Sequence, residues 1–331
     1  MQSKQANLEK KTSDTKIDLK TIEWNKYMVY IVFVIVFLAF SIFLGNKGFL
    51  SSNNLLNILR QTSMISIMAV AGTFVLAAGQ IDLTVGAVAA MTAMCVSLVL
   101  QSTNSIILAL LTGLGFGVIC GAVNGFLVTI LKIPAFLATL GMMQIIRGSA
   151  MWITNTAAVP IKNNQFNSVF GIGSVGGISV LILWTILFYV VGVFLFNKTP
   201  FGKHTLATGG NELSAKYSGI NTNLIKLKVF IMSGAFAAFA GILYAGRMQS
   251  GRYSFGDGDE MSVIAAVVLG GAAMNGGSGS VIGALVGSLL MGIIKNALIL
   301  AGLSSSQQTI VQGVIIVFAV ALSNLSNKKN N

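Results

Sequence analysis

Ten stretches of this sequence are too apolar to face water, at about 27–44, 57–78, 84–101, 105–131, 134–153, 178–196, 228–247, 261–274, 280–301 and 306–323. A helix needs about 20 apolar residues to cross a hydrocarbon core roughly 30 Å thick. No water reaches the backbone inside such a core, so only helices or closed barrels are stable there. The alternating segments of a barrel are absent from the sequence. Only 9% of the residues are charged, against about 25% in a soluble domain. That is too little charge to wet the surface of a 331-residue globule. The sequence therefore predicts an all-α polytopic membrane protein of about ten transmembrane helices, with 261–274 the shortest.

The basic residues orient the bundle, because Lys and Arg in short loops stay on the cytoplasmic side. With the N-terminus inside, the inside segments hold Lys4, Lys10, Lys11, Lys16, Lys20, Lys26, Lys132, Lys198, Lys203, Lys216, Lys226, Lys228, Lys328 and Lys329, fourteen in all. The outside loops hold four, Lys47, Arg60, Lys162 and Arg252. Arg147, Arg247 and Lys295 fall within spans or at their ends. This predicts a cytoplasmic tail at 1–26, a transmembrane domain over 27–323 with a cytoplasmic loop at about 197–228, and a cytoplasmic tail at 324–331. The net charge of +12 then reads as a topology signal, with no nucleic-acid partner implied. The charged leader lacks a small-residue cleavage site, so Tyr27 to Leu44 reads as a retained span rather than a signal peptide.

Glycines suggest an internal repeat. Gly117, Gly121 and Gly125 recur every four residues and QIIRG follows at 144–148, while Gly283 and Gly287 repeat the spacing and TIVQG follows at 309–313. Two five-span repeats have opposite orientation because five is odd, and inverted repeats are a recurrent transporter plan. The same spacing can also do no more than let helices pack closely. Signs of enzymatic chemistry are lacking. Cys95 and Cys120 lie in apolar runs, His204 is the single histidine, and no G-x-x-x-x-G-K-[ST] motif occurs. GIGSVG at 171–176 sits in a loop with no preceding strand, the wrong setting for a dinucleotide site. No metal, cofactor or hydrolytic site is expected.

Three segments carry polar groups of interest. The break from Gly79 to Gly86 places Asp82 between two spans, and an ionisable residue at membrane depth is costly enough to mark function. Its glycines, with Thr84 placed to cap the next helix, suggest a broken element facing a cavity; a surface loop with Asp82 in water is the competing reading. Asn124 and Gln144 put polar groups in other spans, where they line a path or bond across helices, and Arg147 shares the face of Gln144. The expected substrate path thus comprises Gln80, Asp82, Asn124 and Gln144. In the cytoplasmic loop, 209–220 reads as a short helix with Asn211 as N-cap, Glu212 in the first turn and Gly219 at C′. Glu212 and Lys216 form an i,i+4 pair, and Leu213, Tyr217 and Ile220 share the other side. Two turns of helix are unstable alone, so that apolar side needs a partner, either the membrane domain or a second protein. Finally, Arg247 to Glu260 forms a charged outside loop with Arg252, Asp257, Asp259 and Glu260, suited to a soluble partner or a polar solute.

QIDLTVGAV (80–88), NGFLVTILKIPAFLATLGMM (124–143), FGKHTLATGGNELSAKYSGIN (201–221) and IAAVVLGGAAMNGGSGSVIGALVGSLLMG (264–292), in that order, resemble the permeases of ABC importers for ribose, xylose, arabinose and galactosides. The resemblance covers about 45–323. It implies two copies of the permease, or two paralogues, around a central path in the cytoplasmic (inner) membrane. It also implies a separate cytoplasmic tandem ATPase that uses the ATP, and an extracytoplasmic sugar-binding protein that delivers a monosaccharide such as ribose. The resemblance makes Gly210, Asn211, Glu212, Leu213, Ala215, Tyr217, Ser218 and Gly219 the ATPase-coupling residues, with Leu213 and Tyr217 as contacts. Gln80 departs from the family, where glycine is usual. The alternative from another class is an ion-coupled secondary transporter using Asp82, although the spans offer few further titratable groups.

Overall fold

A computed structural model describes residues 24–328. Residues 1–23 of the expected N-terminal tail and 329–331 of the C-terminal one lie outside the described residues. Each of the ten apolar stretches contains a helix. The elements are α1 (Trp24–Leu44), α2 (Ser52–Ala77), α3 (Val85–Thr103), α4 (Ile106–Thr129), α5 (Ala135–Ile153), the single turn α6 (Asn164–Asn167), α7 (Val180–Lys198), α8 (Pro200–Gly210), α9 (Glu212–Tyr217), α10 (Thr222–Met248), α11 (Asp259–Leu269), α12 (Val281–Ala301) and α13 (Ser305–Lys328).

Among the described residues eight helices, rather than ten, are long and apolar enough to cross a membrane. The stretch 261–274 becomes α11, whose eleven residues give about 16 Å of helix, half a hydrocarbon core. It ends where Gly271 takes φ +97° and a glycine-rich loop leads to α12. The stretch 306–323 becomes α13, which is long enough but opens on Ser305, Ser306, Gln307, Gln308 and Thr309.

The buried centre is α2, α3 and α10, while α1, α4, α5 and α7 turn apolar side chains outward. Lipid is as apolar as leucine, so helices hold together there by close contact rather than by exclusion of water. The repeated glycines provide that contact in both halves. A methyl group on Gly117 would lie 2.3 Å from the Gly234 carbonyl oxygen of α10, and one on Gly121 2.3 Å from that of Phe230. On α12, Gly283 and Gly287 fit against α11 at the carbonyls of Gly270 and Ala266, each 2.0 Å from such a group. The helix pairs fall into matched sets: α3 packs on α4 and α5 as α11 packs on α12 and α13, and α4 lies along α10 as α12 lies along α2. The same pairing scheme thus recurs in the two halves.

Gly121→Leu is expected to cost about 3 kcal/mol, since its side chain meets backbone that cannot move aside. Gly115→Leu on the same helix, where nothing lies within 4 Å, is expected to be neutral or slightly stabilising. Thermal unfolding of the two variants in detergent checks the contrast; equal midpoints would contradict the packing.

Candidate functional site

Asp82 lies in the turn between α2 and α3, where Gly79 at φ +70° lets the chain leave the helix. It is 6% exposed, which rules out the reading of a carboxylate in water. Its Oδ1 accepts the Thr84 backbone N–H (2.9 Å) and the Thr84 hydroxyl (2.6 Å), and its Oδ2 accepts the Ser233 hydroxyl of α10 (2.6 Å). Asn124 of α4 donates its side-chain amide to Thr84 Oγ1 (2.9 Å). The α3 start is therefore served by Asp82, and the Thr84 side chain is committed to that carboxylate instead of capping the helix. Thr84, Asn124 and Ser233 are each at most 1% exposed, so the four residues form a closed buried clamp joining the α2–α3 turn to α4 and α10. Gln80 lies apart at the helix end, bonding the adjacent Gly79 carbonyl (2.9 Å). Gln144 is exposed on α5. The residues expected along the path thus do not line one cavity.

A cavity of about 440 Å³ opens elsewhere, between α2, α10, α11, α12 and α13, with Gln61, Thr62, Arg247, Lys295, Gln308 and Gln312 among its polar lining. It lies toward the end of the bundle formed by the close of α10 and the opening of α13, where Gln312 bonds Ser262 of α11. Beside it the Tyr244 hydroxyl donates to Asp259 Oδ2 (2.6 Å). The segment Arg247 to Glu260, expected as a charged outside loop, folds into the bundle, with Asp259 and Glu260 only 6% and 8% exposed. Arg147 holds it there. Its Nη1 donates to the carbonyls of Tyr253 (2.7 Å) and Phe255 (3.0 Å), and its Nη2 lies 3.6 Å from Asp257. Gly256, at φ +64°, then rests on Gly86, so that the starts of α3 and α11 meet. Arg147 and Gln144 therefore have separate surroundings despite sharing a helix. Asn296 of α12 is buried and exchanges two amide hydrogen bonds with Asn54 (2.9 and 3.0 Å).

At the opposite, lysine-rich end stand α8 and α9. Asn211 Oδ1 accepts the Ser214 N–H (2.9 Å), and Gly219 takes φ +81° after the helix, the caps expected from the sequence. Glu212 is paired with Lys216 (2.8 Å) and with Lys226 of α10 (2.6 Å), and accepts the Thr222 hydroxyl (3.1 Å). The Lys216 and then the Lys226 hydrogen bonds draw its carboxyl down from 4.5 to about 2. Its contribution to holding α9 is thus fully present above about 4.5 and lost as pH falls through about 2. The expected apolar side divides. Ala215 is buried and Ile220 packs against the core, whereas Leu213 is 62% and Tyr217 84% exposed, one helical turn apart. Backbone contact keys this element to the spans: a methyl group on Gly209 would lie 1.9 Å from the Ala77 carbonyl oxygen, which accepts the Gly277 N–H (2.9 Å). The α8–α9 step therefore touches both the end of α2 and the α11–α12 loop.

Among the described residues no group of three His, Cys, Asp or Glu side chains could hold a metal ion. The family model described as branched-chain amino acid transport system / permease component matches residues 54–320. The chain is 38% identical over 307 residues to the probable ABC transporter permease protein YphD of Escherichia coli strain K12, covering 93% of this chain and 92% of that protein. It is 38% identical over 283 residues to the ribose import permease protein RbsC of the same strain, covering 84% and 88%. To the L-arabinose ABC transporter permease protein AraH of Azospirillum brasilense it is 36% identical over 296 residues, covering 89% and 86%. No solved structure matches the chain.

Proposed function

The chain belongs to the permease family that its residues 54–320 match, a transport component rather than an enzyme, and we propose that it is the membrane-spanning subunit of an ATP-driven importer of a monosaccharide, ribose or a related sugar. The observation that carries this reading is the exposed Leu213–Tyr217 pair on a capped helix keyed by backbone contacts to the spans. A protein that exposes two large apolar side chains there offers a docking point for a second chain, and the second chain is a tandem ATPase. Ribose and arabinose in the names of two relatives favour a sugar over an amino acid as the solute. The polar cavity suits the same solute, since Gln61, Thr62, Gln308, Thr309 and Gln312 offer amides and hydroxyls to a polyol.

In this reading the lysine-rich end, with both termini, faces the cytoplasm of an inner-membrane importer. A sugar-binding protein docks at the cavity end, and a second permease copy or a paralogue completes the path. Closure of the ATPase halves around ATP moves α9. The Gly209 contact carries that motion to α2 and the α11–α12 loop, and the cavity alternates between the two sides. Purification of the tagged chain from its native membrane in mild detergent, with mass spectrometry of what stays bound, tests this. A protein with two ATPase halves and a sugar-binding protein are expected. A chain that comes out alone and transports in vesicles without ATP would overturn the reading.

A further inference from the structure

A second cavity, of about 600 Å³, runs along the outward side of the bundle between α2, α7 and α12. Its walls reach from Leu59 and Ile182 at one end to Lys198 at the other. Along α7, residues 182 to 198 span about 24 Å. The hydroxyls that border it are all engaged within the protein. Ser63 bonds the Leu59 carbonyl (2.9 Å), Ser66 pairs with Ser288 (2.7 Å), Thr185 bonds the Leu181 carbonyl (2.8 Å) and Tyr189 the Ser66 carbonyl (3.0 Å). The groove therefore asks its occupant for no hydrogen bond along its length. A single alkyl chain fits within this space. Its one charged lining residue, Lys198, is exposed at the lysine-rich end. No acidic residue occurs between Tyr189 and Glu212 to neutralise it, and Lys203 follows on the exposed side of α8.

We propose that this groove binds one acyl chain of an anionic phospholipid, with the headgroup phosphate held by Lys198. The long apolar trough with a cation at its headgroup end is complementary to such a lipid and to little else in a bilayer. Residues 189–198 would then be held against α2 and α12 partly by the lipid, at the point where α7 passes into α8.

The test is native mass spectrometry of the full chain in mild detergent, titrated with dioleoyl phosphatidylglycerol or dioleoyl phosphatidylcholine. One phosphatidylglycerol is expected to stay bound per chain, about five-fold more tightly than phosphatidylcholine, the worth of one lysine beside an anionic headgroup. Lys198→Gln, an exposed change that leaves the helices intact, is expected to remove the preference between the two lipids. Val193→Trp, which fills the groove, is expected to remove binding of both. Equal retention of the two lipids by the unchanged chain, or phosphatidylglycerol retained as well by both variants, would overturn the proposal. So would finding a protein segment in the groove in place of lipid.

Discussion

Leu213→Asp is expected to abolish ATP-driven uptake while leaving the chain folded in its membrane. Leu213 touches little of its own protein, being 62% exposed, so its loss costs the permease itself almost nothing. The interactions that hold α9 in place, the Asn211 cap, the Glu212–Lys216, Glu212–Lys226 and Glu212–Thr222 contacts and the buried Ala215, all lie elsewhere on the helix. In the proposed complex with the ATPase the same position becomes buried. An aspartate there brings an unpaired charge into an apolar contact, on top of the lost leucine. Losses of about 2–4 kcal/mol are usual for anchor residues of an interface, which is a fall of roughly 30-fold to 1,000-fold in affinity. Tyr217→Ala should fall at the lower end of that range. Co-purification of the ATPase with the tagged permease reads the effect, with thermal unfolding as the control for folding. Undiminished co-purification would remove α9 from the interface.

What was legible in the sequence depended on how local each device is. The α9 segment could be read residue by residue because caps, the i,i+4 pair and the C′ glycine act within ten residues. Its partition between a packed and a free side could not, since which residues meet the core depends on how the element docks on distant segments, as Gly209 does against Ala77 and Gly277. The helical class followed from apolar run length alone. The depth of the runs did not, because α11 is apolar like its neighbours and is distinguished by where the chain turns back at Gly270 and Gly271. The cavity was missed for a related reason. Gln61, Gln308 and Gln312 are isolated polar residues, far apart in sequence and brought together only by the packing of α2 and α13 around α11 and α12. The glutamines one turn apart at the start of α13 were the available signal. Asp82 attracted attention correctly as a costly buried acid, but only the positions of Thr84 and Ser233 reveal that its hydrogen bonds are already filled.

That filled network gives the second large effect. Asp82→Ala removes the acceptor for the Thr84 N–H, the Thr84 hydroxyl and the Ser233 hydroxyl together. Buried donors left without partners each cost about 1–3 kcal/mol, so a total loss near 4 kcal/mol is expected, enough to deplete folded protein severely. Asp82→Asn keeps one carbonyl oxygen for Thr84, and its amide can donate to Ser233, whose hydroxyl serves equally as acceptor. The asparagine variant should therefore fold, with a loss of about 1–2 kcal/mol, and should still support ATP-dependent uptake. A carrier that uses this carboxylate to take up a proton or Na⁺ behaves in the opposite way, since asparagine cannot ionise and transport stops in a stable protein. Measuring thermal stability and uptake on both variants separates the two cases. Stability that follows the hydrogen bonds, with transport retained in Asp82→Asn, makes the carboxylate a clamp between α3, α4 and α10. Transport lost in a fully stable asparagine variant would make it the coupling group, and the energy source would then have to be an ion gradient.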